Sequence, residues 1–224
     1  MPHTIIQNTY FDEKKKSKAR ALVAIAGEYG AGAEEVGKLL ADALGVQFFD
    51  PPLLQHIVQE AEENQALHDR LDLLLPSKMD KWIDKLLSKG RKKGTVSYLH
   101  LVKAIMGIVP RGGVIVGMGA HLILSGQRVF RLKIEAGPAY CADNIARKAG
   151  VDLAAAKKLC NKVDRERVKF VKEIYERFPT DDTYYDLVLS AESFSPERMS
   201  KMALKAMCLS GYEISTKICD ESKG

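Results

Sequence analysis

Cysteine is scarce in this sequence and badly placed for metal. The 224-residue chain carries four, Cys141, Cys160, Cys208 and Cys219, with no ligand spacing among them. A zinc module and a disulfide-stapled scaffold are therefore not expected, and the four read as reduced thiols of a cytoplasmic protein. Long apolar runs are missing as well: none approaches the roughly 20 residues of a membrane span. The N-terminus is polar and then basic, without the apolar region of a secretory signal. Aromatic residues make up 7% of the chain. The two basic runs show no aromatic interleaving and match no recognised nucleic-acid module, which argues against a nucleic acid as partner. A net charge of +5 is mild and suits an anionic ligand. No internal repeat is present.

What is present is concentrated in residues 21–40. Ala21, Leu22, Val23, Ala24, Ile25 and Ala26 are a continuous apolar run, as in a strand covered on both faces. Val36, Leu39, Leu40, Ala43 and Leu44 fall at i, i+3, i+4, i+7 and i+8, one stripe of a helix. Between them stand Gly27, Glu28, Tyr29, Gly30, Ala31, Gly32, Ala33 and Glu34. The glycines let the backbone turn sharply and leave its N–H groups aimed inward at the positive end of a helix dipole. That is an anion site, and a nucleotide phosphate is its natural guest. Against the phosphate-loop pattern G-x-x-x-x-G-K-[ST], Gly27 and Gly32 take the glycine places. Ala33 stands where the lysine belongs, and Glu34 where the magnesium-binding hydroxyl belongs. The nest is kept and the cation is lost.

The rest of the chain alternates strands and helices, which predicts an α/β fold with a parallel sheet wrapped on both faces. Residues 47–50 read as a second strand, and Pro51-Pro52 opens a helix through about Glu63. Asp50, at the strand's C-terminal end, sits where such sheets place ligands; a helix cap is the plainer role. Met79, Trp82, Ile83, Leu86 and Leu87 make a helical stripe ringed by lysines. A core-facing helix with solvated lysines explains it better than a membrane-surface helix. A helix is expected over about 97–109, and a strand over 113–116 that ends in Gly117-Met118-Gly119. His100 and His121 read as packed residues. Phe130, Leu132 and Ile134 alternate with Arg131 and Lys133, a strand with one polar face. Asp152 can cap a long helix running to about Phe178. A last strand is expected over 185–190, and Ser195-Pro196 starts a closing helix whose stripe is Met199, Met202, Ala203, Ala206 and Met207.

These stretches resemble, in order, the cytidylate kinase-like family. Glu28-Tyr29-Gly30-Ala31-Gly32 and Leu44-Gly45-Val46-Gln47-Phe48-Phe49-Asp50 match its opening. Val114-Ile115-Val116-Gly117-Met118-Gly119-Ala120, Lys162-Val163-Asp164-Arg165-Glu166-Arg167 and Tyr185-Asp186-Leu187-Val188-Leu189 match its later motifs. The resemblance implies a phosphate-loop nucleoside monophosphate kinase fold of sheet order 2-3-1-4-5. It divides the chain into a basic leader (1–20), one domain (21–212) with a flap (64–95) and a lid (150–180), and a tail (213–224).

The same resemblance implies ATP with magnesium and CMP or another nucleoside monophosphate as ligands. The 27–34 loop would hold donor phosphates, Asp50 would touch magnesium or acceptor, and Arg165 and Arg167 would clamp the transferring group. Gly117 and Gly119 would lie on the acceptor side. Clamping arginines neutralise charge that grows in the transition state. Met118 stands where the family has an arginine for the acceptor phosphate, and Cys141 and Asn144 stand at further arginine places. Two functions are therefore open: a kinase of weakened activity, or an inactive nucleotide- or anion-binding regulatory or interaction module.

Overall fold

The apolar run of residues 21–26 becomes the middle of a sheet. The computed structural model describes residues 21–67, 69, 95–174 and 184–214. Its elements are β1 (Leu22–Gly27), α1 (Ala33–Leu44), β2 (Phe48–Phe49), α2 (Pro51–Glu63), α3 (Thr95–Ile108), β3 (Gly113–Val116) and α4 (Ala120–Ile123). There follow β4 (Phe130–Glu135), α5 (Pro138–Ala149), α6 (Leu153–Ile174), β5 (Leu187–Ser190) and α7 (Pro196–Leu209). The five strands pair in parallel in the order β2-β3-β1-β4-β5, the order that the family resemblance implies.

Val23 of β1 lies between Val114 and Phe130 of its neighbours. Alternation then splits the core in two. Val23, Ile25, Val114, Val116, Phe130, Leu132 and Ile134 face α1, α5 and α7. Leu22, Ala24, Phe49 and Ile115 face α2, α3 and α4. A strand buried on both faces must be apolar at every position, which is why β1 shows no alternation. β4 alternates because Arg131, Lys133 and Glu135 are only half-buried. Truncating a fully buried residue such as Leu132 to alanine would cost about 2–5 kcal/mol.

Caps set the helix starts. The Asp50 carboxylate accepts the Leu53 N–H at 2.9 Å, with Pro51 at the first turn of α2. Asp152 accepts from Ala155 at 2.8 Å, and Ser195 from Arg198 at 3.4 Å. Several expectations need correction. In α1 the buried stripe is Val36, Gly37, Leu40 and Ala41, and Ala43 is exposed, because the small Gly37 lets the helix lie on Phe48 and Val116. Met202 is 37% exposed and lies outside the α7 stripe. Cys141 and Cys160 are free and buried, but Cys208 is disulfide-bonded, so four reduced thiols is not the observed state. The basic leader, nearly all of the flap with its lysine-ringed stripe, and the final ten residues lie outside the described residues.

Candidate phosphate-binding site

The site begins where β1 stops. Its last residue, Gly27, pairs with Ile134, and the chain turns through Gly30 (φ +99°) and Gly32 (φ +90°) into α1. Gly32 is the N-cap and offers no side chain to the helix end. The Ala31 N–H bonds the Glu28 carbonyl at 3.1 Å. The N–H groups of Gly30, Gly32, Ala33 and Glu34 have no acceptor among the described residues. Unsatisfied donors at a helix start are the geometry that an anion nest requires.

Charge at the nest is mostly negative. Glu34 and Glu35 open α1. Lys148 of α5 pairs with Glu35. Burial works against ionising that carboxyl, but the Lys148 ammonium, the Glu35 backbone N–H and the Lys38 charge together outweigh it and hold Glu35 below its ordinary range. Three other carboxylates take backbone donors around the C-terminal edge of the sheet. Glu28 accepts from Ala136 at 3.3 Å, Glu192 from Gly137 at 2.6 Å, and Asp164 from Tyr29 at 3.0 Å. Burial first, and Glu28 next, push the Cys141 thiol up to about 11. No reactive thiolate therefore sits under the loop.

Among the described residues one guanidinium reaches the loop. Arg167 donates to the Gly27 carbonyl at 3.1 Å and lies 5.5 Å above the Tyr29 ring. Arg165 is exposed and bonds the Asn161 carbonyl of its own helix at 3.0 Å. The two arginines expected to clamp together are thus separated, since two positions apart on a helix do not share a face. Their helix carries pairs along its length, Lys162 with Glu166 and Arg167 with Asp164.

Asn144, which stands at a family arginine place, has a loop contact that the sequence reading did not assign. Its side-chain amide donates to the Gly30 carbonyl at 2.7 Å, fixing the peptide at the crown of the loop. The signal was present: Cys141, Asn144, Ile145 and Lys148 fall at i, i+3, i+4 and i+7, so Asn144 shares the loop-facing stripe. Asp164, which the sequence offers only as part of a family motif, touches the loop backbone.

The turn after β3 lies beside the loop. The Gly117 N–H bonds the Ile25 carbonyl at 2.8 Å. Gly117, Met118 and Gly119 have φ of +73°, +54° and +68°, and Met118 packs against the core under α2 and α3. For a long side chain that left-handed conformation costs on the order of 1 kcal/mol. Asp50 ends β2, two strands from β1 and on the order of 10 Å away. The expected acceptor-side residues therefore lie along one edge of the sheet with the loop.

Residues 22–193 match the profile of the cytidylate kinase-like family. The chain belongs to that family. No curated protein matches it in sequence. A crystal structure of an uncharacterized protein from Eubacterium ventriosum ATCC 27560 superposes with a TM-score of 0.68 at 19% identity, covering 85% of this chain and 99% of that one. That likeness shows a shared fold. Membership in the family supports a kinase-like, nucleotide-binding function. No helix among the described residues is long and apolar enough to cross a membrane.

Proposed function

We propose that the protein binds a nucleotide by its phosphates at the 27–34 loop, and that phosphoryl transfer from ATP to CMP or another nucleoside monophosphate is slow. The observation that carries this reading is the set of unsatisfied N–H groups at Gly30, Gly32, Ala33 and Glu34. N–H groups left open together at a helix start, at the positive end of its dipole, suit an anion.

Slowness follows from the missing cations. Removing one positioned electrostatic donor costs about 100- to 1000-fold in turnover. Here Ala33 replaces the loop lysine and Met118 an arginine. The residues do not fit a dedicated magnesium site. Glu34 replaces the hydroxyl, the Asp50 carboxylate caps α2, and the described residues hold no cluster of metal-ligating side chains. Magnesium would come with ATP as its counter-ion. Arg167 is the residue nearest to a clamp.

The regulatory-module reading has its own support: Arg167 and Asp164 already occupy the loop's carbonyl and N–H. Isothermal titration with ATP, ADP and CMP, followed by an ADP-release assay, separates the two. Micromolar ATP binding with slow, CMP-stimulated ADP release supports the kinase. Binding without release supports the sensor, and no binding removes the nucleotide reading altogether.

A further inference from the structure

α6 is tied down at both ends. It has 22 residues, about 33 Å at 1.5 Å per residue. Its start packs Ala156 and Cys160 into the core beneath α1, α5 and α7. Further along, Phe170 lies against the opposite core, its ring edge-on to Tyr98 of α3 with centroids 6.3 Å apart. The helix therefore crosses the C-terminal edge of the sheet from one face to the other, and its middle rests on the loop.

That middle holds the loop on two sides. The Asp164 carboxylate accepts the Tyr29 N–H at 3.0 Å, and Arg167 donates to the Gly27 carbonyl at 3.1 Å. The guanidinium also stands 3.8 Å from Asp164. An anion thus already sits on a backbone donor of the loop, and the cation that could greet a phosphate is spent on a carbonyl and on that anion. Glu28 and Glu192 add negative charge nearby, on the Ala136 and Gly137 donors.

We propose that Asp164 is a built-in occupant of the phosphate loop, seated on Tyr29 beside the four open donors, and that a nucleotide phosphate bound at those donors competes with it, opening the α6 strap and releasing Arg167. This rests on the reading of the loop as a phosphate site. A carboxylate on a loop N–H opposes a second anion twice. It fills a donor, and it repels a second negative charge placed on the same loop. The device sets a threshold: weakly charged or dilute anions leave the strap shut, and a polyphosphate competes with it.

The test uses the full chain, with ATP and inorganic pyrophosphate as probes. Asp164→Ala removes the acceptor, and Asp164→Asn keeps its shape without the charge. Both are expected to bind each probe about tenfold more tightly than wild type, the worth of one charge-assisted hydrogen bond at a half-exposed site. In the ligand-free protein, hydrogen exchange at the Tyr29 amide is expected to accelerate in Asp164→Ala while the β1 amides stay protected. Thermal melts check that both variants fold, and Asp164→Asn carries the test if the alanine variant does not. Equal or weaker binding by a folded variant, with measurable wild-type binding, overturns displacement and leaves the phosphate site standing. Absence of binding by all three proteins at millimolar probe overturns the phosphate reading, and displacement with it. Slow Tyr29 exchange in the wild type would then mark the contact as a structural clasp.

Discussion

Substituting alanine at two left-handed glycines separates two costs. At Gly30 φ is +99°, and an added Cβ would fall 2.6 Å from the Cys141 carbonyl oxygen and 3.0 Å from Cγ1 of Ile145. At Gly45, just past α1, φ is +62° and nothing lies within 4 Å of such a Cβ. Both substitutions force an L side chain into a region that costs about 1–2 kcal/mol. Only Gly30→Ala adds a backbone clash, and overpacking of that kind costs a further ~1–3 kcal/mol. Gly45→Ala is thus expected to lose about 1–2 kcal/mol, and Gly30→Ala about 2–5 kcal/mol. Urea melts with shared m-values measure both. In a domain of this size each kcal/mol moves Tm by about 2–4 °C. The clash also has a functional consequence. Cys141 and Asn144 lie on α5, and Asn144 holds the Gly30 carbonyl. Relieving the clash pulls α5 away from the loop, so Gly30→Ala should lose nucleotide binding and Gly45→Ala should keep it. Equal destabilisation by the two variants would refute the close seating of α5 on the loop.

Two further outcomes follow from the same geometry. Burial, with help from the Arg131 charge, lowers the His121 imidazole to about 4 from 6.5, so the unfolded chain binds the proton more tightly; stability is full above pH 6.5 and falls by roughly 3 kcal/mol as pH drops toward 4. His121→Gln, which keeps a partner for the Tyr185 hydroxyl now 3.2 Å from Nε2, should flatten that slope in melts across pH, and an unchanged slope would contradict it. Met118→Arg should tighten CMP binding by about 10- to 100-fold, the worth of one charge-assisted hydrogen bond; titration showing no gain would mean that this turn does not face the acceptor phosphate.

Much of the fold was legible because it rests on one-dimensional signals. The apolar run of β1, the glycines of the loop, and Pro51 and Pro196 at helix starts each act locally, and their alternation pointed to a parallel sheet, while its strand order came from the family resemblance. Stripes slipped where tertiary contact decided: Gly37 turned the stripe of α1 inward, and Met202 falls outside the buried stripe of α7. The glycine turn into α1 was legible for the same local reason. What fills its flanks was not, because Tyr29 and Asp164 are 135 residues apart in sequence, as Gly27 and Arg167 are by 140. Nothing in the spacing of Asp164, Arg165, Glu166 and Arg167 says which of them turns toward the loop. Only the anchoring of α6 at Cys160 and Phe170 decides it.

The most direct test of the central claim is a ¹⁵N–¹H correlation spectrum of the labelled protein during titration with ATP. Phosphate bound in the nest should move the amides of Gly30, Gly32, Ala33 and Glu34 first and furthest, saturating at micromolar to low millimolar ATP. Shifts confined to other residues, or none at all, would contradict a phosphate site at this loop.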